Sequence, residues 1–420
     1  MPKLQYLIRS LAIACLLPVV FDCVGDSPAI GQTQESVPPP AILSQGSPES
    51  PAFTRWKEIT RQWRETQRQL GNQLSNMTLL VPDEQNTGMA QIEQTRNQLN
   101  ALKIQMLAAA ADGYLESPKD NPLLGRDALT HLRVLMGEDE EIAIFNPAQA
   151  HDQASRMLTA GSKDPQIHYV ALRAAVAIEN FEMVQKHLAE LELLGLKPNQ
   201  PYLDQLASLE RGWQRELEFR QRDATASLPV VRIETSLGVI MAELFEDDAP
   251  NTVNSFVSLV ERGYYNNQEF FNVQPGFLAF AGCPNGDGSG AAEYAIPEET
   301  GEPTAREHFA GSLTSFHTPG KPVSSLYSIS WQPVPIRNGE HTVFGRVIEG
   351  LDVLYQIPAF SPTDRLIDKK AVKIISVTML KKRDHEYSPS KTIPLDSVTP
   401  VIPGSIDSIK TETPPGGGGG

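Results

Sequence analysis

Apolar residues recur at helical spacing through the first half of the chain and at strand spacing through much of the second. Trp56, Ile59, Trp63, Leu70, Leu74 and Met77 form one helical stripe, and Ile92, Leu99, Leu102 and Met106 form another. The turn-rich segment VPDEQNTG lies between them, so the spacing predicts an antiparallel helical hairpin. Its stripes face the core of a bundle or, alternatively, a dedicated partner. Further on, Ile167, Ala171, Ala174 and Ile178 make one stripe. Phe181, Val184, Leu188 and Leu191 make the next, after Glu179-Asn180, and Gly195 ends it. From Leu228 the pattern changes. VVRIETSLGVIMAELF holds two β-prone runs around Ser236-Leu237-Gly238, a hairpin signal. NTVNSFVSLVERGYY reads as a short helix capped by Asn251 or Thr252. Short strands and Gly/Pro turns continue to about Lys382, which predicts a closed barrel with a few helices.

These shifts set the expected organisation. Residues 30–52 are a Pro/Ser-rich linker. Residues 53–222 are an all-helical bundle. Its helix pair after Ile167 is similar to one tetratricopeptide-type hairpin, although such arrays normally need three or more units. Residues 228–382 are the β-rich domain, and 383–420, ending PPGGGGG, are a disordered Pro/Gly-rich tail.

Charge and leader narrow the function. A formal net charge of −15 over 420 residues argues against a nucleic-acid-binding surface, which needs clustered Lys and Arg. Lys3 and Arg9 precede the apolar run LAIACLLPVVF, and small residues follow, with possible cleavage after Gly25 or Ala29. Residues 1–29 therefore read as a signal peptide, and the protein as exported to the periplasm or cell envelope. The run is short for a membrane span, and no later segment reaches that length, so no span is expected after cleavage. Cleavage would remove Cys15 and Cys23 and leave Cys283 with no disulfide partner. No CxxC or His cluster suggests a metal, and GxSxG, HExxH and dinucleotide fingerprints do not occur.

Five stretches carry a resemblance: IETSLGVIMAELFEDDAPNTVNSFVSLVERGYY, PGF at Pro275–Phe277, GCPNGDGSG at Gly282–Gly290, HFAGSL at His308–Leu313 and HTVFGRVIEGLDVL at His341–Leu354. Residues 228–382 resemble the cyclophilin family of peptidyl-prolyl cis-trans isomerases. The resemblance implies an eight-stranded β-barrel closed by two helices, with a peptide groove on its outer face. The overall expectation is a multi-domain chain, with an all-α N-terminal domain and a cyclophilin-like closed β-barrel. Some exported members of the family also carry a helical N-terminal region.

The implied reaction is rotation about an X–Pro bond, against a barrier of ~18–20 kcal/mol set by amide resonance. It needs no nucleophile, metal or cofactor. It needs an apolar pocket for the proline ring, a grip on the peptide, and a donor for the prolyl nitrogen as conjugation is lost. In the family an arginine is that donor, and its position here holds Asn272. The glutamine that orients the arginine is replaced by Phe280, and the family's Met after PGF by Leu278. The groove segment reads Ser315-Phe316-His317. A second family glutamine is Leu326, the pocket Phe is Ser328, and the Trp/His-Leu pair is Ile336-Arg337. Phe277 and His341 match the family. Removing one preorganised donor costs ~10²–10³ in rate.

The expectation is thus an isomerase-family protein that assists folding of exported proteins, with reduced activity. Asn272 stands at its catalytic position, where the family has an arginine. Phe277, Leu278, Phe280, Phe316, His317, Leu326, Ser328, Arg337 and His341 are its peptide-binding set. The expected partners are proline-containing peptides or exported clients, and the helical domain is a candidate surface for a protein partner. The alternative is a non-catalytic peptide-binding or scaffold module.

Overall fold

The computed structural model describes residues 50–77, 82–116, 122–139, 142, 144–301, 304–316, 323–367, 370–390 and 393–394. The expected leader, most of the linker and the end of the tail lie outside the described residues. Two compact units divide between Trp213 and Gln214.

In the helical unit, α1 (Pro51–Met77) and α2 (Pro82–Glu116) form the expected hairpin. Trp56 and Ile59 near the start of α1 pack on Ala109 and Ala110 near the end of α2. Trp56 also donates its indole N–H to Asp127 at 3.2 Å. The predicted stripe is incomplete: Leu74 is 40 % exposed, whereas the polar Thr66 is buried. Four further helices follow: α3 (Pro122–Leu135), α4 (Pro147–Thr159), α5 (Pro165–Ala177) and α6 (Phe181–Leu193). Proline begins each of α1 to α5, where its missing N–H costs nothing. Asn146, Asp164 and Asn180 cap α4, α5 and α6 by accepting backbone N–H groups.

The next helix, α7 (Gln200–Asp223), spans the division. Its last turns belong to the β unit, rather than ending the helical domain at 222, and ion pairs explain why. Arg306, with a side chain 1 % exposed, donates to Asp223 and to Asp248, each at 2.8 Å. Arg346 reaches Glu216 at 2.7 Å, and Arg222 reaches Asp248 at 2.6 Å. Charges buried this deeply persist only when paired.

The β unit is built on β1 (Val230–Thr235), β2 (Val239–Leu244), β3 (Asn272–Gln274), β4 (Leu278–Ala281), β6 (Ser312–Ser315), β7 (Tyr327–Ser330), β8 (Val343–Glu349) and β9 (Ile374–Lys381). They form an eight-stranded antiparallel sheet in the order β3-β4-β7-β6-β8-β2-β1-β9. Phe270 N–H donates to Val372 at 3.0 Å, and Ile374 N–H to Gln268 at 2.8 Å. These bonds join the two ends of the sheet, so it curls closed. The β1–β2 hairpin turns at Ser236-Leu237-Gly238, as expected.

Helix α8 (Pro250–Glu261) lays Val253, Phe256, Val257 and Val260 into the barrel, with Phe256 against Tyr265, Tyr327 and Phe344. Its cap differs from the expectation. Neither Asn251 nor Thr252 is the N-cap; the Glu299 carboxylate accepts both of their backbone N–H groups, at 3.0 and 2.8 Å. A carboxylate at a helix N-terminus satisfies free donors and meets the positive end of the dipole. The second capping helix, α9 (Leu351–Leu354), is a single turn.

Residues 383–390 are not a loose tail. Arg383 forks onto Asp247 at 2.6 and 2.7 Å, and Tyr387 donates to Glu246 at 2.9 Å. Beyond them β10 (Ile393–Pro394) pairs with β5 (Tyr294–Ala295). This strap is polar in sequence, yet its polar groups have fixed partners.

Candidate active site on the outer face of the sheet

Register places the expected site residues. Asn272 pairs with Phe280 across β3–β4, Phe280 with Ser328 across β4–β7, and Ser328 with Thr314 across β6–β7. Directly paired residues project from the same face, so these four share one rung. One rung away lie Leu278 and Ser330; on the other side Phe316 donates its N–H to the Leu326 carbonyl at 3.0 Å. Ala279, Tyr327 and Ile329 alternate to the opposite face, where Tyr327 meets Phe256 and Tyr265. Tyr327 therefore belongs to the interior. Phe271, Phe280 and Phe316 gather at the site with Leu278, Cys283, Val334, Phe277 and Leu326.

The PGF turn holds Phe277 at the rim. Gly276 adopts φ 75°, Phe277 N–H bonds Gln274 at 2.9 Å, and Trp331 N–H bonds the Phe277 carbonyl at 3.0 Å. Gly282 is required by close approach: a Cβ there would stand 2.1 Å from the Ser325 carbonyl oxygen. Asn272 and Phe277 are half-buried, whereas Leu278 and Ser328 are wholly covered and Phe280 is 6 % exposed. The Ser328 hydroxyl is buried without a hydrogen-bond partner. His317 lies outside the described residues.

Arg337 is on the 3-10 turn Pro335–Arg337. Its guanidinium carbon is 5.8 Å from the centre of the Phe280 ring and 5.7 Å from that of Phe316. Those two rings meet edge to face at 4.8 Å. Nη1 of Arg337 is buried and has no hydrogen-bond partner. Burial pushes the Arg337 pKa down, against weaker pull from Glu340 and Glu298. Within this turn Ile336 is 72 % exposed.

Supporting residues were not singled out from sequence. The Asn338 side chain accepts from the His308 backbone N–H at 3.0 Å and meets His308 Nδ1 at 2.9 Å, which anchors the turn that carries Arg337. Burial holds His308 far below the usual histidine range, at about 4. Glu298 accepts from Ser315 Oγ at 2.7 Å, from Thr342 N–H at 2.8 Å and from the Thr342 hydroxyl. It also lies 3.7 Å from His341 Nδ1. The His341 ring stacks on Phe316, with centres 6.3 Å apart. His308 was visible within HFAGSL, but nothing in the motif ties it to Asn338.

Two cavities of about 10 Å³ each lie beside the site: one is lined by His341 with Thr342 and Arg306, the other by Leu326 with Ser324 and Tyr327. Among the described residues, no group of three or more His, Cys, Asp or Glu is placed to hold a metal ion, and no helix is long and apolar enough to cross a membrane.

Comparison with known proteins gives the same assignment. Residues 230–379 match the family model described as cyclophilin type peptidyl-prolyl cis-trans isomerase/CLD. A peptidyl-prolyl cis-trans isomerase of Synechococcus elongatus is 36 % identical over 140 residues, which are 33 % of this chain and 94 % of that protein. Peptidyl-prolyl cis-trans isomerase B of Bacillus subtilis is 41 % identical over 110 residues, covering 26 % and 76 %. A solved cyclophilin type isomerase of Cryptosporidium parvum aligns with a TM-score of 0.33 at 26 % identity, over 37 % of this chain and 99 % of that one. The match to the Synechococcus protein, at 36 % identity over 94 % of its length, shows that the chain belongs to the cyclophilin-type peptidyl-prolyl cis-trans isomerase family.

Proposed function

We propose that the protein is an exported prolyl isomerase of reduced turnover, acting on X–Pro bonds in proline-containing segments of exported client proteins. The observation that carries this reading is the rung Asn272–Phe280–Ser328. It sets a short, neutral amide and an apolar ring at the positions where the family resemblance implies an arginine and its orienting glutamine. Phe277, Leu278, Phe316 and Leu326 remain around it as apolar walls. Rotation without covalent chemistry needs walls and one donor, so losing the best donor slows the reaction without abolishing the site. The leader pattern at residues 1–29 supports export to the periplasm or cell envelope.

A second reading, peptide holding without turnover, is favoured by the coverage of Phe280 and Ser328. Catalysis of a proline-limited refolding phase of a secreted protein separates the two. The isomerase reading expects the full chain to shorten that phase. An unchanged phase, with the client peptide still bound, would support holding instead.

A further inference from the structure

We propose that Arg337 is the catalytic donor of this protein: its guanidinium, one aromatic ring away from Asn272, reaches the prolyl nitrogen. The proposal rests on the slow-isomerase reading above. As the X–Pro bond twists, conjugation is lost and the nitrogen lone pair localises. An N–H directed at that lone pair stabilises the twisted state; no bond forms or breaks, and the proton stays on its donor. The geometry points to Arg337 for three reasons.

First, the guanidinium stands 5.8 Å from the ring centre of Phe280, which is the strand partner of Asn272. It therefore occupies the space one ring away from position 272. Second, aromatic faces at Phe280 and Phe316 hold the cation. A carboxylate would consume its N–H groups, whereas ring faces leave them free to donate. Nη1 is buried with no hydrogen-bond partner. A buried donor without a partner is costly and calls for an explanation, which an incoming substrate supplies. Third, the turn is fixed from behind, because Asn338 holds His308 at 2.9 and 3.0 Å and Val334 N–H bonds the His308 carbonyl at 3.0 Å. A donor carried on such a turn is preorganised, as electrostatic stabilisation requires. The exposed Ile336 beside it offers apolar contact to a bound peptide.

The test uses the full chain and an Ala-Pro peptide, followed by exchange NMR. Arg337→Leu introduces the side chain that the family resemblance implies at this position, and a thermal melt checks its fold. We expect kcat to fall by about tenfold or more with KM changed less than about threefold. Adding Asn272→Arg to Arg337→Leu moves the donor to the position where the family resemblance implies it and restores turnover. If the wild type is active and Arg337→Leu equals or exceeds it, Arg337 only fills the pocket and the proposal is wrong. If the wild type runs at the spontaneous rate, the isomerase reading and the donor both fall.

Discussion

The Arg337 guanidinium lies over Phe280, and Phe280 is the strand partner of Asn272. One aromatic ring thus separates the position where a family arginine is expected from the arginine this chain places nearby. Phe280 also packs with Phe271 and Phe316, at centre separations of 6.3 and 4.8 Å. Phe280→Ala removes a covered ring and one of the two faces under the cation. It should lower stability by about 3 kcal/mol. Urea unfolding checks this, and a loss below about 1 kcal/mol would show that the site collapses freely around the gap.

The helix–barrel ion pairs make a second prediction. Asp223 and Asp248 each have side chains 2 % exposed, and Arg306 joins them. The Arg306 guanidinium also lies 3.5 Å from the centre of the Phe245 ring. Arg306→Ala leaves buried carboxylates short of a partner, at a cost of about 3–5 kcal/mol. Chemical denaturation should show the loss, and proteolysis should begin within residues 214–228. A variant as stable as the wild type would mean that Arg222 and Arg346 carry the network alone.

Much of the fold was legible because its signals are local. The β1–β2 hairpin and the α1–α2 pair follow from period and turn residues within one short window. The cap of α8 was not legible, because Glu299 lies 48 residues from Asn251. The strap is hidden from the sequence for the same reason. Arg383 and Tyr387 look like solvated tail residues until Asp247 and Glu246 arrive from the far side of the chain. At the site, the PGF and VFG stretches fix the alignment that makes Asn272, Phe280 and Arg337 candidates. It did not reveal which way the aromatic rings face. Register decides that, sending Tyr327 inward and Phe280 outward.

Stability should also depend on pH through His308. Its pKa is pushed from 6.5 down to about 4, first by burial, with Asn338 opposing. The unfolded chain therefore binds a proton that the folded chain refuses between those values. Stability from this group is full above pH 6.5 and is lost as pH falls towards 4. The total is roughly 3 kcal/mol. Burial lowers His131, His151 and His187 in the same direction, while His385 is raised and opposes them. Comparing urea midpoints of the wild type and His308→Gln at pH 7.5 and pH 5 isolates His308. The wild type should lose more between the two pH values; parallel losses would show that His308 is not the source.

The most direct measurement is exchange NMR of an Ala-Pro peptide with a substoichiometric amount of the full wild-type chain. Uncatalysed X–Pro exchange takes tens to hundreds of seconds. Exchange clearly faster than that, in proportion to protein concentration, is expected. Peptide shifts with exchange fixed at the spontaneous rate would contradict it, and would leave a cyclophilin barrel that holds its peptide without turning the bond.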